Sequence, residues 1–171
     1  MLESKENSVK IAGILSEIDL EAGSYMKDGK SVDKIGGSIK VRVTQMLNGE
    51  ESELDIPVYM FANKLTNKGT ANPAYASIER VMNEYKSIAA VGIDAADRVR
   101  ITGAQIRMNE YYGQTGNLNS YPRINASFVT KITDLSKFTP EATFSAIFAI
   151  GSMGYETDKE GVENPNRYKI R

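Results

Sequence analysis

The chain has 171 residues, 41% of them apolar, 25% charged and 8% aromatic, the composition of a folded domain with enough length to bury a core without a disulfide or a metal. It contains no Cys, His or Trp, which excludes thiol nucleophiles, imidazole bases, Ser-His-Asp triads and Cys or His zinc sites. The formal net charge of −1 hides a local bias: residues 1–60 carry 11 acidic and 7 basic side chains, whereas residues 98–140 carry 2 acidic and 6 basic ones.

Residues 8–18 (SVKIAGILSEI) place Val9, Ile11, Gly13 and Leu15 on one side at period two and predict a first strand. Residues 20–37 are rich in Gly, Lys and Asp and read as a flexible connection. Residues 35–46 alternate again, with Ile39, Val41 and Val43 opposed to Lys40 and Arg42, so the second strand has a basic outer face. A third strand is expected over residues 54–62 (LDIPVYMFA), where Ile56, Val58 and Met60 oppose Tyr59 and Phe61. Pro57 removes a ladder donor and points to an edge or a bulge.

Asn72 and Pro73 supply a cap and a first-turn proline for a helix over residues 73–89. Its apolar stripe is Tyr75, Ile78, Val81, Met82, Tyr85 and Ile88, and Tyr75 and Tyr85 read as core. Period two returns at Arg98 and Arg100, alternating with Val99 and Ile101 and running on to Ile106, Arg107 and Met108. It returns once more over residues 123–133, with Ile124, Ala126 and Phe128 on one face and Arg123, Asn125 and Lys131 on the other. Between these two strands, residues 111–121 (YYGQTGNLNSY) read as a hairpin loop. The order strand, strand, strand, helix, strand, strand predicts a mainly β fold: a five-stranded Greek-key barrel of the OB type with its helix between strands 3 and 4.

The stretch RVRITG at 98–103, then NEYYG at 109–113, Gly116 and SYPRINASFV at 120–129 resembles bacterial and phage single-stranded DNA-binding proteins. NSVKIAGILS at 7–16 is similar to that family's first strand, and the likeness spans residues 7–133. The resemblance implies an OB-type barrel and a single-stranded DNA partner. With Trp absent, stacking falls to Tyr59, Phe61, Tyr111, Tyr112 and Tyr121. The basic end NRYKIR at 166–171 differs from the acidic tip of bacterial members, so recruitment of partners through such a tip is not carried over.

A binder of single strands needs cations for phosphates and exposed rings for bases. Lys40, Arg42, Arg98, Arg100, Arg107 and Arg123 lie opposite apolar residues and are expected to share one side with the tyrosines of the hairpin. Alternation alone leaves open whether that side binds or is merely solvated, and strand aromatics such as Tyr59 and Phe61 more often pack than bind. Gly29-Lys30-Ser31 lacks the earlier glycine, strand and helix of a phosphate loop. Glu17, Asp19 and Glu21 fall on one side of an extended chain and read as a solvated rim; no metal and no cofactor is expected.

Residues 1–140 are expected to form the nucleic-acid-binding domain. Residues 141–171 read as a C-terminal hairpin, from the apolar run at Phe144–Ile150 to the alternation at Arg167–Arg171. They also admit the start of a second, incomplete OB-like domain, since Ile11, Ile14, Glu17, Asp19 and Glu21 match Ile150, Met153, Glu156, Asp158 and Glu160 in spacing. Alternatively Phe144 and Phe148 mediate self-association into a homo-oligomer. The chain lacks a long apolar run and a secretory start, so no membrane role is expected and a cytoplasmic location is, in a bacterial host if the protein is phage-encoded. The reading is a non-enzymatic protein that coats single-stranded DNA in phage or bacterial replication or recombination and meets the proteins of those processes. The alternative is a structural or protein-interaction β-barrel, a phage-assembly or regulatory module. A carboxylate-metal nuclease is the third choice.

Overall fold

In the computed structural model the described residues are 7–47, 49–114, 116–146, 153–157 and 161–170. They divide into two compact units, a larger one over Ser8–Ser145 and a smaller one that includes residues 153–157 and 161–170. The larger unit is mainly β. Its strands are β1 (Asn7–Lys27), β2 (Lys30–Leu47), β3 (Glu50–Asn63), β4 (Arg98–Tyr112), β5 (Leu118–Asn125), β6 (Thr130–Lys131) and β7 (Glu141–Ala146). They form one sheet in the order β6-β4-β5-β3-β2-β1-β7, and a further β4–β1 pairing closes it partly into a ring. A short seam joins β3 to β5, which run parallel and pair only at Val58–Ile124 and Tyr59–Asn125.

The alternation read from the sequence is what fills the ring. Ile39, Val41, Val43, Val58, Met60, Val99 and Ile101 are buried together with Ile11 and Leu15. Ile78 and Val81 of α1 (Pro73–Glu84) join them, each burial contributing roughly 1.5–3 kcal/mol. Asn72 caps this helix by accepting the Ala74 N–H at 3.0 Å, as its position before Pro73 predicts. The helix ends earlier than the apolar stripe suggests. The Asp97 carboxylate takes the Lys86 N–H at 2.9 Å and the Asp97 N–H donates to the Lys86 carbonyl, so tertiary bonds pin the chain where another helical turn would begin. A separate one-turn helix α2 (Ile88–Val91) follows. Tyr75 is buried and Tyr85 half-buried, its hydroxyl donating to the Val129 carbonyl at 3.3 Å.

Three expectations need correction. Residues 20–37 are not a flexible connection. β1 and β2 run on as an antiparallel arm out to Lys27 and Lys30, joined by Asp28 and Gly29 at φ 51° and 74°. Asp-Gly is a strong two-residue hairpin signal because both central positions need positive φ. The β4–β5 hairpin is likewise paired much further than its polar composition implies, out to Tyr112 opposite Leu118. β5 stops at Asn125, so the segment that follows does not alternate: Ala126 is buried while Phe128 is 52% exposed. The sheet therefore has seven strands rather than five. Pro57 sits just ahead of the β3–β5 seam, where β3 is paired on its β2 side alone.

In the smaller unit β8 (Met153–Thr157) and β9 (Glu163–Ile170) pair antiparallel. The hairpin expected between the apolar run from Phe144 and the final residues forms instead between these strands, and Phe144 belongs to β7 in the larger sheet. Phe148, Ile150, Asp158, Glu160 and Arg171 lie outside the described residues.

Candidate functional site

Because Val58, Met60 and Ala62 face the core, Tyr59 and Phe61 stand on the outer surface of β3. They line a groove of about 440 Å³ whose other walls are Thr102, Gly103, Gln105 and Arg107 of β4, Arg123 and Asn125 of β5, and the segment from Ala126 to Phe128. A bulge shapes its floor. Between the pairs Ile11–Ile101 and Val9–Ala104, β4 carries one residue more than β1, and Gly103 takes φ 72° to absorb it. Phe61 is 57% exposed. Its ring lies over Gly36, where a Cβ would come within 3.0 Å of the Phe61 Cδ2.

Arg107 and Arg123 are direct cross-strand partners on the β4–β5 ladder. Like charges placed opposite one another repel. Neither has a carboxylate within ion-pair distance among the described residues. Arg107 donates to the Gln105 Oε1 at 2.7 Å and 3.2 Å, and the Arg123 guanidinium sits 5.1 Å from the centre of the Tyr59 ring, a cation–π contact. Two positive groups are thus held beside the half-buried ring of Tyr59 and the exposed ring of Phe61, with no counter-charge among the described residues.

The same outer face continues up the hairpin through Asn109 opposite Tyr121 and Tyr111 opposite Asn119. The Tyr111 and Tyr121 rings meet edge to face with centroids 6.2 Å apart. Tyr112, one residue on, points to the opposite face and is 76% exposed there, so it does not share a side with Tyr111. Period two separates neighbours on a strand, and the hairpin is strand at that point.

Lys40 and Arg42 lie on the outer face of β2, in line with Tyr59 and Phe61 across the ladder, and both are paired. Lys40 bonds Glu17, and Arg42 holds Asp55 through two bonds of 2.9 Å. The Glu17 carboxylate raises the Lys40 pKa, and the Arg42 guanidinium holds the Asp55 carboxyl below its usual range. Arg98 and Arg100 are outside the groove lining. Arg98 donates to the carbonyls of Asp94 and Ala96 and braces the turn before β4, and Arg100 reaches the Lys137 carbonyl at 3.4 Å. The structure therefore brings Tyr59, Phe61, Arg107 and Arg123 into one groove with Tyr111 and Tyr121 beyond it. Sequence reading missed Phe128, Gln105 and Asn125. The run Asn125-Ala126-Ser127, poor in strand formers, marks where alternation stops and Phe128 becomes free to turn outward.

A sequence model of the YorF family matches residues 5–171. The chain belongs to the YorF family. No curated protein matches it. Among 43 matching chains of solved structures is a deletion and substitution variant of the single-stranded DNA binding protein from Thermus aquaticus. That chain is 10% identical, with 96% of this chain and 72% of that one covered and a TM-score of 0.42. The family shown is YorF, and the likeness to a single-stranded DNA-binding protein is a distant one. No helix among the described residues is long and apolar enough to cross a membrane.

Proposed function

We propose that this chain is a non-enzymatic single-stranded DNA-binding protein, with the groove between β3, β4 and β5 as its binding site. The observation that carries the reading is the pair Arg107–Arg123, facing each other with no carboxylate in ion-pair distance among the described residues, beside the half-buried ring of Tyr59 and the exposed ring of Phe61. Folding sets two like charges together at some cost. A polyanion would relieve it, and the rings at the same place offer a stacking surface that any base can use. A duplex hides its base faces in the stack and could use only the cations. The ring order β1-β2-β3-β5-β4, with α1 between β3 and β4, supports an OB-type Greek-key barrel as the scaffold. In this reading Arg107 and Arg123 contact phosphates, while Tyr59, Phe61, Phe128, Tyr121 and Tyr111 take bases. The cellular role is coating of exposed strands in the cytoplasm during replication or recombination.

The test is fluorescence anisotropy with labelled oligo-dT, oligo-U and duplex of equal length at two salt concentrations. The expected result is at least about tenfold preference for the single DNA strand over duplex, with affinity falling as salt rises. Equal affinity for duplex, tighter binding of oligo-U, or no binding at low salt overturns the proposal.

A further inference from the structure

The face that carries Tyr59 and Phe61 does not end at Phe61. Phe61 lies opposite Gly36, Asn63 opposite Lys34, and Lys34 in turn opposite Gly23 of β1. Two residues along β1, Tyr25 stands on this same face opposite Val32, and its hydroxyl accepts from the Asn63 Nδ2 at 3.3 Å. Beyond the end of β3 the chain turns back through Lys64–Gly69 and encloses a crevice of about 550 Å³ against the arm. Tyr25, Val32 and Leu65 give this crevice an apolar wall, and Lys27, Thr66, Asn67 and the ion pair Asp33–Lys64 give it a polar rim. A smaller pocket lined by Phe61, Gly36, Gly37, Lys34, Asp19 and Glu21 adjoins the groove at Phe61.

Charge distinguishes this end of the face from its middle. Lys40 and Arg42 are neutralised by Glu17 and Asp55, and Lys64 is paired with Asp33 at 3.4 Å. Lys27, Lys30, Lys34 and Lys68 have no carboxylate within ion-pair distance among the described residues. Lys27 and Lys30 are moreover direct cross-strand partners at the tip of the arm, a second like-charge pair of the kind that Arg107 and Arg123 form at the groove.

We infer that the crevice between the β1–β2 arm and the turn after β3 is a second nucleotide subsite on the same strand path. It takes a base against Tyr25 and Leu65, and Lys34 and Lys27 take the phosphates that lead to it from Phe61. The inference rests on the groove reading, since the occupant is the strand that leaves the groove. Asn63, where β3 ends and the crevice begins, lies about 7 Å beyond Phe61 at roughly 3.3 Å per residue of strand, so an oligonucleotide that fills only the groove stops short of the crevice.

The experiment measures binding of labelled oligo-dT of about 4 and about 12 nucleotides to the full chain and to a Lys27→Gln, Lys34→Gln double variant at about 0.1 M salt. Both lysines stand on strand surfaces without an acidic partner, and an unchanged melting temperature confirms that the variant folds. The expected result is a loss of about 25-fold on the longer strand, the effect of two phosphate contacts at this salt, and no loss on the shorter one. Unchanged binding of the longer strand overturns the subsite and leaves the groove reading standing. Equal losses on both lengths also overturn it, because the lysines then act as a general field. If the unaltered chain binds neither strand, the groove reading itself falls and the subsite falls with it.

Discussion

Replacing Arg107 and Arg123 together by Gln removes the two groove cations and leaves every ring in place. Each phosphate neutralised on a single strand contributes about 0.7 to the slope of log affinity against log salt, so the double variant should lose about 1.4 from that slope. At about 0.1 M salt this is a loss of about 25-fold, shrinking toward nothing near 1 M. Stability should hardly move. Removing the like-charge opposition gains roughly 0.2–1 kcal/mol, and losing the Arg123–Tyr59 contact costs about 0.5–1 kcal/mol, so the two nearly cancel. The assay is an anisotropy titration with oligo-dT at four or more salt concentrations, with thermal melting run in parallel. Lines of equal slope for the unaltered and variant chains would refute the assignment of these guanidiniums to phosphates. A variant that binds less and also melts lower would show that the pair is structural.

Tyr59→Ala and Phe61→Ala should each weaken oligo-dT binding by about 5- to 150-fold, the range of a lost base stack, and Phe61→Ala should leave the melting temperature almost unchanged because the ring is largely exposed. Gly36→Ala should weaken binding through Phe61, since its Cβ would meet that ring at 3.0 Å; in a double-mutant cycle with Phe61→Ala the second change should add little. Asp55→Asn should raise single-strand affinity by releasing Arg42 from its two-bond partner, leaving it the 4.0 Å contact with Glu53. The same variant tests the pH dependence of stability. Arg42 lowers the Asp55 pKa, so the pair stabilises the fold above the ordinary carboxylate value of about 3.9 and that contribution is lost as pH falls through the lowered value. The gap in melting temperature between the unaltered chain and Asp55→Asn should therefore be constant near neutrality and close under acid conditions. Asp97→Ala should lower the melting temperature by several degrees, because buried Asp97 accepts the Lys86 N–H and pairs with Lys131 at 2.7 Å, and an unpaired buried donor costs about 1–3 kcal/mol.

Much of the fold was legible wherever one face of a segment is buried. Val41 and Val58 could be placed in the core, and Asn72 at a helix start, from residues two to four positions apart. Segments with both faces in water were not legible in that way. The β1–β2 arm has no apolar alternation to announce it, and its one local signal, Asp28-Gly29, is a turn whose flanking strands are polar. Phe128 was put on one face with Ile124 and Ala126 because alternation was extended past Asn125, whereas β5 ends at Asn125 and the Ala126 N–H makes a last bond to the Tyr59 carbonyl. Tyr111 and Tyr112 were grouped because they are neighbours, which on a strand is the reason they part.

The amino-acid order by itself determined which side chains of each strand turn inward, because period-two alternation is a property of the extended backbone and needs no partner. It also determined that any charged chemistry must rest on Lys, Arg and carboxylates. Only the tertiary structure decided which outward faces meet. The short β3–β5 seam brings Tyr59 to Arg123, while the β1–β2–β3 register hands Lys40 to Glu17 and Arg42 to Asp55. Whether a cation is available to a ligand depends on its distance to the nearest carboxylate, and those carboxylates come from strands remote in the chain.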